Sequence, residues 1–103
     1  MTSSNLIACV HADNSATRAA GGVQRDKVLS LLRTSSKVEV DLADVLATPS
    51  YLDEFLGDLM QRLGPLVFRS QVEILNVSDT TAPLLRHILA RRMKAYRTEN
   101  LGV

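Results

Sequence analysis

Three short β-rich runs, set far apart along the chain, most constrain what it can fold into. Leu6-Ile7-Ala8-Cys9-Val10 is a continuous apolar run of strand length, which reads as a buried strand. Val38-Glu39-Val40-Asp41-Leu42 alternates with period two, the pattern of a strand with one solvated or partly covered face. Val72-Glu73-Ile74-Leu75-Asn76-Val77 is the third, closed by Ser78 and Asp79. The segments between them are long enough for helical crossovers, and crossovers imply parallel pairing. The expected fold is a single small α/β domain. Its sheet is mainly parallel, of about three or four strands, with helices largely on one face.

A chain of 103 residues suits one domain and leaves no room for a second. Its hydrophobic share, 46%, is that of a globular protein and excludes wholesale disorder or a collagen-like repeat. No apolar run approaches the ~18–20 residues of a membrane helix. The start, Met1-Thr2-Ser3-Ser4-Asn5, lacks the basic region of a signal peptide. Cys9 is the only cysteine, so neither an internal disulfide nor a cysteine-based zinc site is available. These features predict a soluble, cytoplasmic protein with no membrane partner, flexible at about residues 1–4 and 98–103.

The second helix is the clearest element. Leu52, Phe55, Leu56, Leu59, Met60 and Leu63 recur at helical spacing and form one apolar stripe. Thr48 can cap it with Pro49 in the first helical position. In an equally good register Ser50 is the cap, with Asp53 three residues on. Gly64-Pro65 ends it. A third helix starts near Thr81 and Pro83. It buries Leu84, Leu85, Ile88, Leu89, Met93 and Tyr96 and turns Arg86, His87, Arg91, Lys94 and Arg97 outward. The first helix begins between Ser15 and Gly22 and runs to about Arg33. Its Gly21-Gly22 pair is costly inside a helix, so either the helix begins after the pair or the glycines allow close approach of another backbone.

Chemistry-bearing patterns are sparse. His11 and His87 stand far apart, and His11-Ala12-Asp13 reads as a solvated turn rather than a metal pair. Cys9, among apolar neighbours, reads as a small buried hydrophobe. There is no nucleophile elbow, no phosphate-binding loop and no dinucleotide fingerprint. Asp41 and Asp44 end a parallel strand, where α/β folds often bind ligands, but two acids in a loop are unspecific. The reading is a protein with no catalytic residues, no metal and no cofactor. Charge is unevenly spread: acids crowd the span from Val38 to Leu63, and bases crowd the last helix.

The stretch Val38-Glu39-Val40-Asp41-Leu42-Ala43-Asp44-Val45, followed by Thr48-Pro49-Ser50-Tyr51-Leu52-Asp53-Glu54-Phe55-Leu56-Gly57, resembles STAS domains. It is most similar to the bacterial STAS-like domains of unassigned function. That resemblance implies a non-enzymatic regulator related to anti-sigma factor antagonists. Its partner would be a kinase-like ATPase or sigma-regulatory protein, and a serine at the start of the second helix would accept phosphate. By position that serine is Ser50. Pro49, Tyr51 and Leu52 depart from the family's usual acid, serine and glycine around it. The partner surface implied is Thr48, Ser50, Tyr51 and Glu54, with Tyr51 either an interface anchor or a residue packed over the sheet edge. Ser50 is otherwise a cap or first-turn residue.

A short sheet leaves open edges that a partner or a second copy can cover, so self-association is part of this reading. The rival from another class is a small nucleic-acid-binding protein using the basic third helix. A near-neutral chain without a binding motif argues against nucleic acid.

Overall fold

The computed structural model describes residues 6–12, 17–45 and 47–100. Three strands, β1 (Ile7–His11), β2 (Lys37–Asp41) and β3 (Val72–Leu75), form one parallel sheet in the order β1-β2-β3. In register, Ala8 lies beside Val38 and Val38 beside Val72, while Val10, Val40 and Ile74 form the next row. Four helices connect and follow the strands: α1 (Arg18–Leu31), α2 (residues 49–63), α3 (Pro65–Gln71) and α4 (Thr81–Asn100). Among the described residues no helix is long and apolar enough to cross a membrane.

The sheet advances in one direction, so crossovers of one hand lay the connecting helices on the same face. Val10, Val38, Val40 and Val72 point into that face and are buried. The opposite face carries Ile7, Cys9 and His11 on β1, beside Lys37, Glu39 and Asp41 on β2. This corrects the reading of the first run as a fully buried strand. Ile7 is 59% exposed and Cys9 is exposed, because no layer among the described residues covers that side. Lys37 and Glu73 pair across it at 3.1 Å.

The helices form where their caps and stripes dictate. Thr17 caps α1 by accepting from the Ala20 N–H at 3.0 Å, within the expected range of starts. Gly21 then lies inside the helix against α2. A Cβ there would sit 2.5 Å from the Tyr51 carbonyl oxygen and 3.2 Å from the Phe55 nitrogen. The helix therefore runs through the glycine pair, and a close approach of another backbone accounts for Gly21. Thr48 caps α2 through the Tyr51 N–H at 3.2 Å with Pro49 next, so the Ser50-capped register is not adopted. Leu52, Phe55, Leu56 and Leu59 are fully buried, as the stripe requires.

Two features depart from the sequence reading. Residues Asp53–Gly57 form a π-helical turn within α2, and the Asp58 N–H bonds back to the Asp53 carbonyl. Gly64-Pro65 ends α2 as expected, but Pro65 also opens a helix, α3, which the sequence reading leaves as connection. Proline suits a first helical position, and Phe68 is the single buried anchor of that short element. Gly64 adopts φ 88°, and a Cβ there would meet the Tyr96 hydroxyl at 2.9 Å. At the far end residues 98–100 continue α4, with Thr98 Oγ1 donating to the Lys94 carbonyl. The flexibility expected at about 1–4 and 101–103 falls outside the described residues, as does Asp13.

Candidate functional site

Where β2 and β3 end, the chain must leave the sheet and start two helices, and side chains organise both exits. Asp41 Oδ1 accepts from the Ala43 N–H and from Asn76 Nδ2, each at 2.9 Å, tying one exit loop to the other. Asp44 and Asn76 take left-handed backbone conformations, φ 61° and 58°, which Asp and Asn tolerate better than most residues. The amide of Asn76 and the Ala43 N–H hold the Asp41 carboxyl below its ordinary pKa.

Between these loops lies a cleft of about 590 Å³ at the carboxyl end of the parallel sheet, where α/β folds commonly bind ligands. Leu42 and Val45 supply apolar wall, while Asn76, Ser78, Thr80 and Thr81 supply polar groups. Both α2 and α4 begin at its rim. The Thr48 hydroxyl accepts from Tyr51, and Ser78 Oγ accepts from the Thr81 N–H at 3.0 Å. Thr48 and Ser78 are therefore engaged as caps.

The four residues expected to form one partner surface do not share one. Thr48 is half-buried at the cleft rim. Ser50 is exposed in the first turn of α2. Tyr51 is fully buried, its ring edge-on to Phe55 with centroids 5.8 Å apart, so the packing alternative describes it. Glu54 is tied down by Arg18 at 3.2 Å and by Arg25.

Glu54 belongs to an ion-pair network that sequence reading missed. Asp53 accepts from Arg18 at 3.0 Å, from Arg91 at 2.9 Å and from Arg92 at 2.9 Å. Asp58 binds Arg25, Arg62 and Arg92. Hydrogen bonds from Arg92, against the opposing effect of burial and with help from Arg18 and Arg91, hold the Asp53 carboxyl far below the usual carboxylate range. At regular α-helical spacing Asp53 and Asp58 would point about 140° apart. The π-turn stacks them instead, which is why no periodicity in the sequence shows the cluster. Elsewhere His11 is exposed beside the Ala12 carbonyl, and the described residues hold no group of metal-ligating side chains.

The family model for STAS-like domains of unknown function matches residues 23–82, more than half of the chain. The chain belongs to that STAS-like family. The match contains the whole lining of the cleft and all of α2, and it ends as α4 begins. No curated protein and no solved structure matches the chain.

Proposed function

We propose that this STAS-like domain is a regulatory protein-interaction module without catalytic activity, read by a protein partner at the first turn of α2 and switched by phosphorylation of Ser50. The partner class is a kinase-like ATPase or a sigma-regulatory protein, in the cytoplasm. The observation that carries this reading is Ser50 as an exposed hydroxyl in the first turn of a helix, the residue that the resemblance to STAS domains implies as phosphoacceptor. A helix start favours an added anion. The neighbouring carboxylates, Asp53 and Glu54, oppose a phosphate less than the sequence suggests, because arginines from α1 and α4 already compensate them. The unpaired outer edges of β1 and β3, among the described residues, leave room for self-association as well.

The test is mass-spectrometric mapping of Ser50 in protein purified from its native host, together with the affinity of co-purifying partners for Ser50→Ala and Ser50→Asp. Phosphate on Ser50, and an affinity loss of about fivefold or more for Ser50→Asp, support the reading. An unmodified Ser50 whose Asp variant binds every partner normally overturns it.

A second reading, nucleic-acid binding through α4, rests on the exposed bases Arg86, Lys94 and Arg97. Arg91 and Arg92 are committed to Asp53, so a test that reverses those two charges would disturb the fold as well. Salt-dependent RNA or DNA binding lost in Arg86→Glu and Arg97→Glu is the outcome that favours this reading.

A further inference from the structure

Beside the C-terminal end of α2, α3 and the C-terminal half of α4 leave an apolar groove. Leu66 stands in it 78% exposed, more than any other large hydrophobic residue described. A hollow of about 240 Å³ opens on each side of Leu66. One is floored by Phe68, Leu89 and Met93, the other by Gly64 and Tyr96. Pockets for drug-sized ligands begin near ~300 Å³, so each hollow is better matched to a single side chain.

Basic residues outnumber acidic ones around the groove. Arg69 lines the first hollow. Arg86 precedes Leu89 by three residues and Arg97 follows Met93 by four, so each lies one turn from the apolar ridge of α4. All three are exposed and make no ion pair among the described residues, unlike Arg91 and Arg92 on the neighbouring face. Glu99 is the sole acid of α4, and it accepts from Gln61 on α2 at 3.0 Å.

We infer that this groove docks an amphipathic helix of a partner protein whose apolar stripe is flanked by acidic residues. Two apolar side chains one or two turns apart would fill the hollows astride Leu66, and the flanking carboxylates would meet Arg69, Arg86 and Arg97. Methionine and other flexible apolar side chains on the floor suit a surface that adapts to its occupant. A second copy of this chain is a poor match, because none of the described helices combines an exposed apolar stripe with acidic flanks. Nucleic acid would satisfy the arginines but not the apolar floor. The proposal is independent of Ser50, which lines neither hollow.

The probe is a synthetic amphipathic peptide of roughly five helical turns, with leucines at i, i+3, i+4 and i+7 and glutamates flanking them, read by fluorescence anisotropy against the full chain. The expected result is saturable binding that weakens with salt and falls about tenfold or more when lysines replace the glutamates. Leu66→Asp, and separately Arg86→Glu with Arg97→Glu, should each weaken it about tenfold at unchanged circular dichroism, since all three residues are exposed. Equal affinity for the two peptides overturns the proposal, as does binding that ignores Leu66→Asp. Tighter binding of a single-stranded RNA or of anionic vesicles, surviving Leu66→Asp, assigns the arginines to another partner and overturns it too.

Discussion

Arg92 on α4 grips Asp53 on α2 with a fork: Nε donates to Oδ1 at 2.9 Å and Nη2 to Oδ2 at 3.0 Å. Nη2 also reaches the Asp53 carbonyl at 3.2 Å, and Nη1 donates to Asp58 and Gln61. Both side chains are largely withdrawn from water, so removing one partner of this forked pair leaves the other charge partly buried and costs more than breaking a surface ion pair. It joins the last helix to the π-turn at the middle of the fold.

Arg92→Ala should therefore destabilise the domain by about 2–4 kcal/mol, because it leaves Asp53 and Asp58 partly buried with fewer partners. Arg91→Ala should cost about 0–1 kcal/mol, since Arg91 donates to the same carboxylate from a side chain that is 60% exposed. Urea midpoints at an unchanged slope measure the difference. Equal effects from the two would show that the fork has no special weight.

Acid should loosen the structure through the same carboxylate. Arg92, with Arg18 and Arg91, lowers the Asp53 pKa in the folded state, whereas the unfolded chain titrates near ~3.9. The unfolded state thus binds the proton first, so this stabilisation is complete well above pH ~4 and is lost progressively as pH falls below it. Asp41, lowered by Asn76 and the Ala43 N–H, acts with the same sign. Asp53→Asn should be less stable at pH 7 and show a flatter decline between about pH 5 and pH 3. A variant with the wild-type acid profile would remove Asp53 from this account.

Gly21 and Gly22 should respond oppositely to alanine. At Gly21 the added Cβ meets the Tyr51 carbonyl oxygen at 2.5 Å, and α1 must move away from α2 at a cost of about 1–3 kcal/mol. At Gly22 the nearest groups are side-chain atoms of Arg25 and Glu54 at 3.6–3.7 Å, an ordinary contact. Gly22→Ala should leave stability unchanged or raise it by up to about 1 kcal/mol. Thermal melts of the two variants decide it.

Core and surface in α2 should separate sharply at adjacent positions. Leu56→Ala and Leu59→Ala each remove a fully buried side chain and should cost about 2–5 kcal/mol. Tyr51→Ala should cost about 3–5 kcal/mol for the same reason. Ser50→Asp, exposed at a helix start, should stay within about 0.5 kcal/mol of the parent. Chemical denaturation of the four variants tests the assignment, and an unshifted midpoint for Leu56→Ala would remove it from the core.

Much of the fold was legible in the chain because it depends on local pattern. The alternation of Val38 and Val40, the stripe from Leu52 to Leu63, Thr48 before Pro49 and the break at Gly64-Pro65 each encode an element through nearest-neighbour physics. The long intervals between strands further imposed parallel pairing. What tertiary structure alone decided is which side of each element meets the rest. Cys9 and Ile7 lie in an apolar run yet face outward, because both crossovers fall on one side of the sheet. Tyr51 reads from the sequence as either an interface anchor or a packed residue, and it is buried because Gly21 lets α1 close over it. Asp53 and Asp58 come together only through a π-turn, and apart from Arg62, one turn along α2, their arginines arrive from helices more than thirty residues away. Local periodicity carries no record of such long-range meetings, since they depend on how helices settle against one sheet face.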